Sequence, residues 1–140
     1  MRTLQVILLS ILVSGSTIAQ SRQDITTSLR IEVSGTKNNE GTLRFFLFSS
    51  EDNFLKQPYM QKTTTADATY VTFDDLPLGT YAVNVYHDKN DNGELDINWL
   101  GAPKEAFGFS KNRKGKLGPP KFDEVQITVD NPKNIKIRLN

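Results

Sequence analysis

The 140-residue chain contains no cysteine, one histidine and one tryptophan. Without cysteine there can be no disulfide, thiolate metal site, cysteine nucleophile or lipidated bacterial lipoprotein anchor. A single histidine leaves a zinc site short of its usual ligands. Net charge is also missing. The chain has 17 Lys and Arg against 16 Asp and Glu, and loss of a leader containing Arg2 would balance them. Whole-protein charge therefore gives no basis for binding nucleic acid or a membrane surface. No apolar run approaches the ~20 residues of a membrane span, and no window shows a helical stripe. What the chain does have is 37% hydrophobic residues, including 8 Phe and 4 Tyr. That is enough for one packed core, in a length too short for two ordinary domains.

The N-terminal segment has its own layout. Arg2 precedes an apolar run from Leu4 to Val13, interrupted only by Gln5 and Ser10, and the segment ends in Thr17, Ile18 and Ala19. A positive start, an apolar middle and a small-residue end make a secretory signal peptide, with cleavage expected between Ala19 and Gln20. Residues 1–19 are thus expected to be a leader, and 20–140 a single secreted or periplasmic domain.

Beyond the leader the dominant period is two. Leu29, Ile31 and Val33 share one face of SLRIEVSG, with Arg30 and Glu32 on the other. The turn residues Asn38, Asn39 and Gly41 lead into TLRFFLFS, which is apolar on both faces and so central. Glu51 to Lys62 reads as a connection with a helical turn near Asp52 to Lys56. Alternation resumes in Ala68 to Phe73 and in TYAVNVYHD, where Tyr81, Val83, Val85 and His87 oppose Ala82, Asn84, Tyr86 and Asp88. Two further strands are expected around Val125 to Val129 and Ile135 to Leu139. The expected fold is all-β: an immunoglobulin-like or transthyretin-like antiparallel sandwich of six or seven strands with one long loop. A small barrel is the alternative.

That loop runs from Asp88 to Phe122, about 35 residues where connections usually take ~4 to 6. Its Ile97, Trp99, Leu100, Phe107, Phe109, Leu117 and Phe122 are too apolar for a solvated tail. It should therefore fold back over the sandwich, and this covering role could by itself explain the aromatics. Its charges are segregated: net −3 over Asp88 to Asp96 and net +5 over Gly101 to Lys121. The basic block is either a solvated surface or an anion-binding rim for phosphate or acidic polysaccharide.

In DKNDNGELD, Asp88, Asn90, Asn92 and Asp96 place oxygen side chains at alternating positions, Gly93 allows a sharp turn, and Glu94 can offer its backbone carbonyl. This follows the first part of a calcium loop, in which a hard cation is wrapped by a curled backbone. Calcium is therefore the expected cofactor. The match lacks the final bidentate Glu, since Trp99 stands there, and an Asx-rich turn needs no ion.

Catalytic chemistry has weaker signals. His87, Asp88 and Glu105 could form the acid/base set of a small hydrolase, but neighbouring strand residues point to opposite faces. Ser110 has no nucleophile elbow around it.

The strings YHDKNDNGELD, WLGAPKEAFGFSKN and GPPKFDEVQITV, with LPLGTYAV before them, resemble the bacterial exported family called domain of unknown function 2141. The family's blocks fall on His87 to Asn90, Asn92 to Asp96, Gly101 to Glu105 and Gly108 to Asn112. Lys89 stands for the family's usual Glu and Lys111 for its Asn, and the first change removes a possible metal carboxylate. The resemblance extends from about Leu29 to Leu139. It implies an exported β-sandwich-like domain and assigns no catalytic residue.

Three functional expectations result. The leading one is an exported binding or accessory module, with Trp99, Glu105, Phe107, Phe109 and Lys111 as its contact surface and cell-envelope carbohydrate or protein as its partner. The second is a periplasmic hydrolase using His87 and nearby carboxylates. The third is an assembly component that pairs through an edge strand such as Ile135 to Leu139.

Overall fold

A computed structural model describes residues 24–140, so the expected signal peptide at residues 1–19 lies outside the described residues. The elements are β1 (Thr26–Ser34), β2 (Thr42–Phe48), β3 (Met60–Thr65), β4 (Tyr70–Pro77), β5 (Gly79–Asp88), β6 (Phe107–Phe109), a short helix α1 (Phe122–Val125), β7 (Ile127–Val129) and β8 (Lys133–Arg138). They form an all-β sandwich. One sheet runs β4-β1-β8, the other β3-β2-β5-β6, and β7 also pairs with β5.

Alternation places the core as expected. Leu29 and Ile31 of β1 and Phe73 of β4 meet Leu43, Phe45 and Leu47 of β2 and Val83 and Val85 of β5, all fully buried between the sheets. Burying each such side chain contributes ~1.5 to 3 kcal/mol. The outer faces of β2 and β5 are covered as well: Phe48 and Ala82 pack with Phe109, Phe122 and Val125 in a second cluster. This explains why β2 is apolar on both faces.

Three details depart from the sequence reading. The first and last strands, β1 and β8, pair in parallel, with Leu29 opposite Lys133 and Ser34 opposite Arg138. Parallel neighbours need a long connection, and here it is nearly the whole domain. Secondly, part of the supposed connection before Lys62 is strand: β3 lies antiparallel to β2, with Met60 opposite Leu47. As an edge strand of sequence MQKTTT it is only half covered, so it lacks apolar alternation. Thirdly, Val125 belongs to α1 rather than to the following strand, and it still packs fully buried.

The long loop returns to the sheet at β6, where Phe109 sits opposite Asn84 and Phe107 opposite Tyr86. A cramped crossing with β8 accounts for the residue between them. A Cβ on Gly108 would lie 2.7 Å from Ile137 Cγ2 and 2.9 Å from the Arg138 carbonyl, so only glycine lets the two strands approach. Ser110 then fixes the end of β6. The Val83 N–H donates to Ser110 Oγ (3.0 Å), and the Ser110 hydroxyl donates to the Val125 carbonyl (2.6 Å), linking β5, the loop and α1.

Candidate functional site

The acidic turn follows β5 directly. Asp88 is fully buried at the strand end, and Arg44 of β2 donates Nε–H to Asp88 Oδ2 at 2.6 Å. The same oxygen accepts the Gly93 N–H at 2.9 Å, while Oδ1 accepts the Asn92 N–H at 3.1 Å. Burial pushes the Asp88 carboxyl upward, but the Arg44 hydrogen bond, the two amides and the guanidinium charge outweigh it, and the group sits below the usual carboxylate range. The same bond holds the Arg44 guanidinium above its ordinary value.

Turn geometry accounts for the rest of the segment. Asp91 and Gly93 occupy the left-handed region, with φ of 56° and 86°. The Asn90 side chain accepts the Asn92 N–H (3.3 Å), and that of Asn92 accepts the Glu94 N–H (2.9 Å), two local Asx bonds. The side-chain amides of Asn90 and Asn92 donate to opposite oxygens of Asp96, at 2.7 and 2.9 Å. Glu105 closes the loop from across its base, accepting the Lys89 N–H (2.9 Å) and the Asp96 N–H (3.1 Å). Gly41 lets this base close, because a Cβ there would collide with the Asp88 carbonyl.

The structure thus gathers Asp88, Asn90, Asn92 and Asp96 in one turn, with the Glu94 side chain exposed. Both carboxylate oxygens of Asp88 and of Asp96, and the Oδ1 of each Asn, already accept a hydrogen bond from the protein. A cation bound there would share these oxygens with protein donors and lie near the Arg44 guanidinium. Among the described residues, no three His, Asp or Glu side chains converge as a metal site.

His87 lies on the opposite face of β5 from Asp88. Its Nε2–H donates to the Glu40 carbonyl at 2.6 Å, and it is 3% exposed. The proposed acid/base residues are each engaged elsewhere: His87 with a backbone carbonyl, Asp88 with Arg44, and Glu105 with two amides.

Beside the turn the loop forms a second feature, an open cleft of about 860 Å³. Phe107 and Phe109 of β6 and Leu95, Ile97, Leu100 and Leu117 of the loop line it, with Pro103, Pro119 and Pro120. Leu100 is 70% exposed and Leu117 wholly exposed, so this apolar wall faces solvent. Every charged side chain lining the cleft is cationic: Arg113, Lys114 and Arg138. Of the expected contact residues, Phe107 and Phe109 line it, whereas Trp99, Glu105 and Lys111 do not; Trp99 stands 90% exposed outside it.

Over residues 31–137 the sequence matches a family described as "Uncharacterized protein conserved in bacteria (DUF2141)". The chain belongs to this family. The match takes in both the acidic turn and most of the DUF2141 cleft, from Leu95 to Pro120. No curated protein and no solved structure matches the chain at a significant level. Among the described residues, no helix is long and apolar enough to cross a membrane.

Two groups of site residues escaped sequence reasoning in this DUF2141 chain. Arg44 was one, although a lone cation within a strand apolar on both faces calls for a buried counter-charge. The other is Arg138, whose place in the cleft depends on the parallel packing of β8 and has no local signal.

Proposed function

We propose that the protein is an exported binding module whose functional surface is the cleft between the long loop and β6. The observation carrying this reading is an apolar wall left facing solvent, with Leu100 at 70% and Leu117 at full exposure around a cavity of about 860 Å³. Small-molecule sites typically measure ~300 to 1,000 Å³ and are mostly apolar with a few polar groups. Exposed apolar patches of this kind mark ligand or partner sites. Export rests on the signal-peptide layout of residues 1–19.

In this reading the acidic turn is a scaffold that fixes the root of the loop through Arg44 and Glu105. The turn needs no calcium for this role, since its side-chain oxygens accept hydrogen bonds from protein donors. Hydrolysis has no part in this reading, because none of His87, Asp88 and Glu105 lines the cleft.

Nile red, a neutral apolar dye, tests the reading. The native protein should bind it with a blue-shifted rise in emission, and the Leu100→Asp/Leu117→Asp variant should lose the signal while keeping its melting temperature. A native protein that leaves the dye dark, or a variant that binds it equally well, would contradict the proposal.

A further inference from the structure

We propose that the occupant of this cleft is a monomeric amphiphile with one acyl chain and a compact anionic head, of the fatty carboxylate class. The inference rests on the cleft reading above and adds the chemistry of the ligand.

The head is assigned by charge. Arg113, Lys114 and Arg138 are exposed, line the cleft, and form no ion pair with any described residue. They are held on one side by Asn112, whose Oδ1 accepts the Arg138 N–H at 2.8 Å and whose amide donates to the Lys136 carbonyl at 3.2 Å. Asn112 takes the left-handed conformation, with φ of 52°. The turn carrying Arg113 and Lys114 is thereby fastened to β8 next to Arg138. No acidic side chain lines the cleft to compete, and Asp88 and Asp96 of the neighbouring turn are engaged within it. Guanidinium groups recognise a carboxylate with paired, charge-assisted hydrogen bonds.

The body is assigned by what the cleft cannot satisfy. A sugar or nucleotide needs neutral donors and acceptors along its length. The side-chain amides of Asn84, Asn112 and Asn140, all lining the cleft, each already donate one hydrogen bond to a backbone carbonyl, at 3.2 Å in every case, which leaves few free neutral groups. The remaining wall is largely Leu, Ile, Pro and Phe, which suits a flexible hydrocarbon. Carbohydrate, one of the two partners expected from the sequence, fits this lining less well.

Isothermal calorimetry with decanoate, dodecanoate and tetradecanoate, each below its micelle concentration, provides the test. One-to-one binding should tighten about fourfold for each added methylene. Dodecanol and dodecyltrimethylammonium should bind at least about tenfold more weakly than dodecanoate. The Arg113→Gln/Lys114→Gln variant should lose the preference for dodecanoate over dodecanol with an unchanged melting temperature, because neither side chain holds the fold together.

Equal binding of dodecanol and dodecanoate would overturn the anionic head and leave the cleft reading standing. Dodecanoate binding that ignores chain length would overturn the acyl body. Association with phosphatidylglycerol vesicles but with none of the monomers would overturn the proposal in favour of a membrane-surface contact. Failure of every amphiphile together with failure of Nile red would remove the cleft reading itself.

Discussion

Arg44 on β2 and Asp88 at the end of β5 meet at 2.6 Å, with the carboxylate fully buried and the guanidinium about a quarter exposed. The pair ties the sheet to the long loop, because the same carboxylate receives the Asn92 and Gly93 amides that shape the turn. One end of the cleft therefore inherits its position from a buried charge.

Removing the cation should be costly. Arg44→Met leaves the Asp88 carboxylate buried without its partner, and a loss of ~3 kcal/mol is expected. Urea denaturation measures it. Combined with Asp88→Asn in a double-mutant cycle, the pair should show coupling above ~1 kcal/mol. Additive effects would mean that the contact contributes nothing specific.

Acid should loosen the same link. The folded Asp88 carboxyl lies below its unfolded value, so its contribution is complete above the unfolded carboxylate pKa near ~4 and is lost as pH falls through the lower folded value. The melting temperature of the wild type should therefore drop more steeply below about pH 4 than that of Asp88→Asn. Parallel acid limbs in the two proteins would count against the assignment.

Ser110 carries a purely structural load. Ser110→Ala leaves the buried Val83 N–H and Val125 carbonyl without their side-chain partner, and a loss of ~1 to 3 kcal/mol is expected from the chemical denaturation midpoint.

The acidic turn should be indifferent to calcium. With every side-chain oxygen of Asp88, Asn90, Asn92 and Asp96 accepting a protein hydrogen bond, the melting temperature should be the same in EDTA and in about 1 mM calcium. A rise of several degrees that Asp88→Ala abolishes would restore the calcium expectation.

The strands buried between the sheets were legible because a period of two records which face meets the core. Leu29 and Ile31, Phe45 and Leu47, and Val83 and Val85 all follow it. The β3 edge was not legible, since an edge strand half in solvent selects for little, and its Met60, Gln61 and Lys62 read as the end of a connection. The acidic turn was recognised as a unit, but the sequence could not say whether its oxygens face a cation or the turn's own amides. Arg44 joins the turn only in space, bonding Asp88 across a separation of 44 residues. The cleft was half visible: Ile97, Leu100, Phe107, Phe109 and Leu117 stood out as apolar loop residues, while the gathering of Arg113, Lys114 and Arg138 depends on how the loop returns to β8.

The most direct test of the binding account is an amide chemical-shift map of the 15N-labelled protein titrated with dodecanoate. Shifts concentrated at Leu100, Phe107, Arg113, Lys114 and Leu117, with the amides of Asn90 to Glu94 nearly still, are the predicted result. Shifts confined to the acidic turn or to the edge strand β3, or none at saturating dodecanoate, would contradict it.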